Sequence, residues 1–256
     1  MTLDSSIIVC AHNEESYIEG CLKSILAQTI IPSQVIVVLD RCTDRTKDIV
    51  LRILAEKGLL IEKDAQRWRH SISENLEIGR ARATGQALAI IDADITIPAD
   101  FLERLLPQLN EYSSVSALAK TDPSQGLLNK AVSTWEYTYR FAPFGKEPRG
   151  GARVILARDL SEIGGFHDVT SWDTDIDTRL RKIGRKVRLD PTLSALHRRK
   201  MTVRRSLSYQ IEMGKARREL GLSLNRTLLH SIFRLRPFVF YGYIRGRESP
   251  ESLPKV

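Results

Sequence analysis

The chain has 256 residues, of which 42% are hydrophobic and 27% charged, with a formal net charge of +8. This composition is ordinary for a soluble globular protein and excludes wholesale disorder, and the length fits one large domain or one domain with an appendage. Its apolar runs are shorter than the ~20 residues that span a bilayer, and residues 1–6 carry no basic leader. We therefore expect a cytoplasmic protein whose three cysteines are reduced thiols.

Short apolar runs alternate with helical patterns through the first hundred residues. Runs rich in β-branched residues predict buried strands at 6–10, 35–39, 59–62 and 88–91. Helical spacing predicts one helix beginning at Asn13 and a second over 43–57, with Thr43 or Asp44 as its N-cap. This alternation predicts an α/β fold whose mostly parallel sheet has helices on both faces.

Polar segments follow three of these strands directly. In parallel sheets, ligands bind beyond the carboxyl ends of the strands. That rule assigns residues 11–14, 40–44 and 92–94 to one cleft. No glycine-rich phosphate loop follows the first strand, which argues against a dinucleotide-binding Rossmann domain and against a P-loop enzyme.

Asp92 and Asp94 carry the central chemical signal. Two carboxylates at positions i and i+2, just past a buried strand, can converge on a hard divalent cation such as Mn²⁺ or Mg²⁺. A cation there would bridge donor phosphates and neutralise the charge that builds on a leaving diphosphate. The alternative for an isolated Asp-x-Asp is a solvated loop, and its position after the apolar run 88–91 favours the metal site.

Two further polar clusters lie in the second half. Residues 173–180 form an acidic helix start, where the carboxylates either complement the helix dipole or include a general base. His197 follows a predicted strand at 186–189 and an apolar segment at 193–196. A neutral imidazole there could complete a metal shell, and the adjacent Arg198 and Arg199 could hold phosphate.

Five segments in this order resemble the family 2 glycosyltransferases of the GT-A fold. The matching stretches are residues 7–28, 35–46, 90–102, 150–166 and 172–187. The resemblance implies a Rossmann-like, mostly parallel sheet flanked by helices. It also implies an enzyme that moves a sugar from a nucleotide-diphosphate sugar to an acceptor, with a divalent cation and inversion of configuration. The sequence identifies neither the sugar, the nucleotide base nor the acceptor.

The resemblance also implies roles for individual residues. Asp94 matches the metal ligand of the Asp-x-Asp pair, and His197 matches a histidine near the metal and the diphosphate. Asp173 matches the catalytic base. The positions that match the nucleotide-sugar side are Ala11, Asn13, Glu14, Asp40, Asp92 and Ala93. The positions on the acceptor side are Gly150, Gly151 and Trp172.

The chain departs from the family pattern at two places. Leu39 stands before Asp40 where members often have a second acidic residue, and Trp172 replaces the Glu of the family's Glu-Asp pair. Trp172 could stack on a sugar face instead. Two alternative functions remain at this stage, a nucleotidyltransferase of related fold and a non-catalytic protein that binds an anionic ligand through its tail.

The last fifth of the chain is basic and amphipathic. Residues 198–256 contain fourteen Lys or Arg against four Asp or Glu. We therefore divide the chain into a catalytic domain, 1–200, and a helical tail, 201–256, as a C-terminal extension. The tail either packs on the catalytic domain or lies on an anionic membrane surface, which would make the location peripheral at the cytoplasmic face. Arg234 and Arg236 argue against a spanning helix, and no nucleic-acid motif is present, so nucleic acid is not an expected partner.

Overall fold

A computed structural model describes residues 3–137 and 150–246. The described strands are β1 (Ser5–Ala11), β2 (Gln34–Asp40), β3 (Leu59–Lys63), β4 (Ala87–Ile91), β5 (Ile95–Thr96), β6 (Ser114–Thr121), β7 (Ala152–Leu156) and β8 (Val187–His197). The first helices are α1 (Ile18–Leu26), α2 (Thr46–Leu54), α3 (Ser71–Arg80), α4 (Phe101–Leu105) and α5 (Leu127–Tyr137). The remaining helices are α6 (Ala157–Glu162), α7 (Trp172–Lys182), α8 (Val203–Glu219), α9 (Leu224–Phe233) and α10 (Pro237–Arg245).

The strands form one sheet in the order β3-β2-β1-β4-β7-β6-β8-β5. β1 pairs in parallel with β2 and β4, β2 with β3, and β6 with β8. β7 runs antiparallel to both β4 and β6, and β5 is antiparallel to β8. The predicted α/β class with a mostly parallel sheet is confirmed. The four strands predicted in the first hundred residues correspond to β1, β2, β3 and β4, whereas β5, β6 and β7 were not predicted.

The central strands are buried on both faces, as their continuous apolar runs indicate. Ile7 and Val9 of β1 point to one side, where α1, α2 and α4 cover them. Ile8 of β1 points to the other side and packs with residues of α3, α6 and α7. Because both faces are covered, the edge at the carboxyl ends of β1, β2 and β4 is left for polar loops.

Two predicted helices are shorter than the sequence pattern indicated. α1 begins at Ile18 and not at Asn13, because Asn13 has a left-handed φ of 54° that no helical residue adopts. α2 begins at Thr46 and ends at Leu54, since Ala55 also has a positive φ, of 46°. Both helices therefore start several residues beyond the strands that precede them.

β8 joins two segments that the sequence pattern had separated. The predicted strand at 186–189 and the apolar segment at 193–196 belong to one strand that ends at His197. Its register against β6 shifts between Ala117 and Leu118, which pair with Asp190 and Ser194. Residues 191–193 therefore form a bulge, where a proline that cannot donate a ladder hydrogen bond is tolerated.

The described residues fall into two compact units. The first contains 3–122, 150–168 and 172–199, and the second contains 123–137, 169–171 and 200–246. The last segment of the second unit begins at residue 200, one residue before the predicted tail. The second unit also includes α5, which the predicted tail did not. Within it, α8 and α10 cross closely at two glycines, because a Cβ on Gly214 or Gly242 would collide with backbone atoms of the other helix.

Among the described residues, none of the helices is both long enough and apolar enough to cross a membrane.

Candidate active site

The loops after β1 and β2 are tied together by hydrogen bonds. Ala11, the last residue of β1, accepts a hydrogen bond from the thiol of Cys42 through its carbonyl oxygen (3.4 Å). The left-handed turn at Asn13 directs its Oδ1 to the backbone N–H of Thr43 (2.8 Å). The structure therefore brings Ala11 and Asn13, both predicted to lie on the nucleotide-sugar side, to the same end of the sheet as the loop after β2.

Asp40 ends β2 inside a network of donors. Its Oδ1 accepts from Arg41 Nε (2.7 Å) and lies 3.3 Å from Lys63 Nζ, and its Oδ2 accepts from Ser71 and from Asn75 Nδ2 (3.2 Å). Burial alone would raise the pKa of this carboxyl, but the hydrogen bonds and the Lys63 charge outweigh burial and hold the pKa well below its usual range. Asp40 is 2% exposed and its carboxylate is held by these donors. Its place on the nucleotide-sugar side stays a prediction.

Asp92 and Asp94 lie in a tight turn between β4 and β5. The Asp92 N–H donates to the carbonyl of Gly151, and the Ile95 N–H donates back to the carbonyl of Asp92 (both 2.9 Å). A Cβ on Gly151 would lie 2.5 Å from Asp92 Oδ2 and 2.6 Å from Ile95 Cδ1, so a larger residue there would displace these side chains. Ala93 is buried. The predicted acceptor-side residue Gly151 thus lies directly against the Asp-x-Asp turn.

The short pairing of β5 with β8 places His197 beside the Asp-x-Asp turn. His197 is the register partner of Ile95, and its Nε2 lies 3.3 Å from Asp94 Oδ2. The guanidinium of Arg199 contacts the carboxylates of both Asp94 and Glu14. Arg199 was predicted to hold phosphate, and the structure shows it as the cation between two site carboxylates.

Asp173 lies at the start of α7, against the glycine loop. A Cβ on Gly150 would lie 2.7 Å from the Trp172 ring and 3.3 Å from Asp173 Cβ. Trp172 is 7% exposed and meets Phe166 edge to face at 5.7 Å. The indole is therefore part of the core, and the stacking of Trp172 on a sugar face stays a prediction.

Four carboxylates converge in this region. Burial and the neighbouring charges of Asp94, Asp173 and Glu14 together raise the pKa of Asp92 to about 7, although the charge of Arg199 acts to lower it. A carboxyl pKa raised by three like charges shows that negative charge is in excess at this end of the sheet. The surroundings therefore favour a bound cation.

The metal ligands that the protein offers suit a cation that also binds a phosphate group of the substrate. Asp94 and His197 offer one oxygen and one nitrogen at 3.3 Å from each other. The part of the chain that the structure describes contains no group of three or more His, Cys, Asp or Glu side chains arranged around one metal position. Mg²⁺ commonly takes one or two protein carboxylates and completes its shell with substrate phosphates and water. Asp94 and His197 would hold the metal on the protein side.

Comparison with known proteins decides the family. The Glycosyl transferase family 2 profile matches residues 6–167, which is more than half of the chain. The chain belongs to glycosyl transferase family 2. This membership favours sugar transfer over the nucleotidyltransferase alternative. The matched region includes the loops after β1, β2 and β4 and ends before α7. The roles of all the predicted site residues, inside and outside this region, stay predictions.

Individual relatives agree with this membership over part of their length. An uncharacterised glycosyltransferase of Haemophilus influenzae is 28% identical over 113 residues, which are 44% of this chain and 35% of the relative. The succinoglycan biosynthesis protein ExoA of Rhizobium meliloti is 25% identical over 207 residues, or 73% of this chain and 61% of the relative. The chain thus spans about a third to three fifths of the length of these two relatives.

The fold is that of the GT-A glycosyltransferases. The mannosyltransferase PcManGT of Pyrobaculum calidifontis, whose structure contains GDP-Man and Mn²⁺, superposes with a TM-score of 0.66. The superposition covers 95% of this chain and 71% of the mannosyltransferase at 20% identity. At this identity the likeness establishes the fold alone.

The buried Arg153 is a positioning residue of this family 2 chain that the sequence pattern did not indicate. It lies in β7 with 0% exposure. Its Nη2 contacts Asp177 Oδ1 at 2.5 Å, its Nη1 donates to the carbonyl of Asp173 at 3.4 Å, and its guanidinium lies 5.7 Å from the Trp172 ring centre. Arg153 therefore ties the start of α7 to the sheet. An arginine inside an apolar run would be the sequence signal for such a group.

Two acidic residues of α7 are engaged in ion pairs. Asp175 and Asp177 belong to the acidic helix start, whose carboxylates were expected either to complement the helix dipole or to include a general base. The structure shows both to be buried, Asp175 with Arg179 Nη2 at 2.5 Å and Asp177 with Arg153 at the same distance. They are halves of buried ion pairs, so their removal costs more than a surface charge would.

We expect Arg153→Met to lower the free energy of unfolding by about 3–5 kcal/mol, because it leaves the Asp177 carboxylate buried without its cation. Urea denaturation of both proteins measures the difference. The double variant Arg153→Met with Asp177→Leu should regain most of this loss, since a buried ion pair can be replaced by apolar groups at little cost. A loss below about 1 kcal/mol for the single variant, as for surface pairs, would contradict this assignment.

Proposed function

We propose that the chain transfers a sugar from a nucleotide-diphosphate sugar to an acceptor hydroxyl, with a divalent cation and with inversion at the anomeric carbon. The observation that carries this proposal is the cluster of Glu14, Asp92, Asp94 and Asp173 beside His197 in a family 2 domain. GDP-Man and Mn²⁺ in PcManGT, which shares the fold, support a donor of this class with a metal.

On the donor side, the charged residues have separate roles. Asp94 and His197 would hold the cation, which would supply positive charge to stabilise the departing nucleoside diphosphate. Arg199, which contacts Asp94 and Glu14, would be the protein's own cation for the donor phosphates. Asp40 stays ionised and keeps the loop after β2 in position for the nucleoside.

On the acceptor side, Asp173 acts as the general base. The acceptor oxygen attacks the anomeric carbon on the face opposite the diphosphate, and Asp173 takes the proton of that hydroxyl as the new bond forms. The glycosidic bond to the diphosphate breaks in the same step, so the configuration inverts. Gly150 keeps the space above Trp172 and Asp173 open, because any side chain there would meet the indole.

The acceptor remains to be identified, and a lipid-linked one suits a peripheral location at the cytoplasmic membrane face. The basic composition of residues 198–256 supports this location. A chain that only binds anionic ligands is the remaining alternative, and it would bind a donor without releasing a nucleoside diphosphate.

The test is a thermal-unfolding panel of UDP-, GDP- and dTDP-sugars, each with Mn²⁺, with Mg²⁺ and with chelator. A donor at about 100 times its Kd stabilises the native state by about 2.7 kcal/mol, which should raise Tm by about 5 °C or more at this size. The donor that stabilises should also release its nucleoside diphosphate slowly during incubation, because water can take the sugar in place of the acceptor. Stabilisation without any release would favour the non-catalytic alternative, and a panel without any shift would contradict the proposed donor class.

A further inference from the structure

Helix α9 has its polar side inward and its apolar side outward. Thr227 and Ser231 are its most buried residues, with exposures of 0% and 5%, and Arg234, which directly follows the helix, is 9% exposed. The exposed apolar residues of the same helix are Leu224, Leu228, Leu229, Ile232 and Phe233, each at least 40% exposed. A helix that packs on a protein core normally shows the opposite arrangement.

The inward face of α9 is engaged by polar contacts within its own unit. Arg217 of α8 donates from Nε to Thr227 Oγ1 at 3.1 Å, and Ser231 Oγ donates to the carbonyl of Thr227 at 3.0 Å. Burial and the surrounding arginines lower the pKa of His230 to about 3. The inward side is thus a polar, strongly cationic layer, and the apolar side has no place in it.

Helix α10 extends the outward apolar surface. Phe238, Tyr241 and Ile244 recur at intervals of three residues and are 39%, 45% and 64% exposed. Val239 and Tyr243 of the same helix are buried. The spacing places the three exposed residues along one side of the helix, and with the exposed residues of α9 they form what we call the α9–α10 apolar face.

The net charge of the segment that carries this face indicates what covers it. Residues 200–246 carry ten Lys or Arg against two Asp or Glu. A second copy of the chain would bring the same excess positive charge against this one, and like charges across an interface oppose association. Leucine and aromatic side chains bordered by arginines are typical of helices that lie in the headgroup region of an anionic bilayer.

We propose that the α9–α10 apolar face docks onto an anionic lipid bilayer, with both helices lying in the plane of the headgroups. This inference deepens the proposed peripheral location by naming the surface that makes the contact. Its test contains no donor, metal or acceptor, so its outcome is independent of the transferase activity.

The experiment is flotation of the full chain with vesicles of phosphatidylcholine alone or with phosphatidylglycerol. We expect at least tenfold stronger partitioning into the anionic vesicles, and a loss of most of this difference in high salt, because surface attraction is screened. Equal or negligible partitioning into both vesicle types would overturn the proposal.

The α9–α10 apolar face is tested by Ile232→Glu, whose matched control is Ile31→Glu in the first unit. Both residues are exposed, at 58% and 84%, so both variants should unfold at the parent temperature. Ile232→Glu should lower partitioning into anionic vesicles at least tenfold, and Ile31→Glu should partition like the parent. Equal partitioning of the two variants would overturn the proposal. So would a parent dimer in lipid-free sedimentation that Ile232→Glu dissociates, since a second copy would then cover this face.

Discussion

Asp173→Asn should slow the sugar-transfer step by about 10²–10⁴-fold, because asparagine keeps the size of the side chain and loses the proton acceptor. Donor affinity should stay nearly unchanged. The backbone position should also persist, since Arg153 contacts the Asp173 carbonyl and not its carboxylate. Single-turnover rates with saturating donor and a competent acceptor, together with donor titrations, measure the two quantities separately.

Asp100→Asn is the matched control for this substitution. Asp100 lies at the start of α4, where its carboxylate is 43% exposed and pairs loosely with Arg104 at 3.7 Å. The same chemical change there should leave the transfer rate unaltered. NMR of the product should show an inverted anomeric configuration. An Asp173→Asn enzyme as fast as the parent, or a product of retained configuration, would show that Asp173 is not the base of a single displacement.

Asp94→Ala should remove turnover and weaken binding of a nucleoside diphosphate with Mn²⁺. The substitution deletes the carboxylate that faces His197 and leaves Glu14 as the partner of Arg199. Loss of the metal's interaction with the leaving diphosphate is worth several kcal/mol, which corresponds to about 10³-fold or more in kcat/KM. Calorimetric titration with a nucleoside diphosphate, with and without Mn²⁺, should show that the metal strengthens binding to the parent and not to the variant.

The apo form of Asp94→Ala should remain folded, because removing one of four neighbouring carboxylates relieves repulsion at Asp92. Circular dichroism and thermal unfolding without metal provide this control, and Asp100→Ala provides a variant outside the site. Chelator should reduce the parent to the level of Asp94→Ala. Full activity of the parent in excess chelator, or metal-enhanced binding that survives in the variant, would contradict a metal held by Asp94.

The sequence was sufficient for the first half of the fold. The apolar runs that became β1, β2, β3 and β4 are continuous and rich in β-branched residues, and such runs have few conformations other than a buried strand. Their alternation with helices fixes a parallel arrangement, which brings the residues after β1 and β4 to the same edge. Glu14 and Asp92 interact electrostatically across that edge although they are far apart in the chain.

Strand order beyond β4 could not be predicted from local patterns. β7 enters the sheet beside β4 in the antiparallel sense, and β8 reaches the Asp-x-Asp turn through two residues of β5. These pairings are contacts between distant segments, and no local periodicity encodes them. The position of His197 beside Asp94 follows from such a pairing, so the sequence supplied the residue and only the tertiary structure supplied the distance.

Burial is the other property that the sequence left open. Asp177 of α7 and Arg153 of β7 are both ionisable residues that a sequence analysis places at the surface by default, and the structure buries them as a pair. In helix α9, by contrast, apolar residues that a sequence analysis places in the core are exposed. Its amphipathic pattern determines which residues share a side, and only packing determines which side faces the protein. Arg217 of α8 donates a hydrogen bond to Thr227 of α9, so the polar side of α9 faces inward. The leucine, isoleucine and phenylalanine side chains of α9 are therefore exposed.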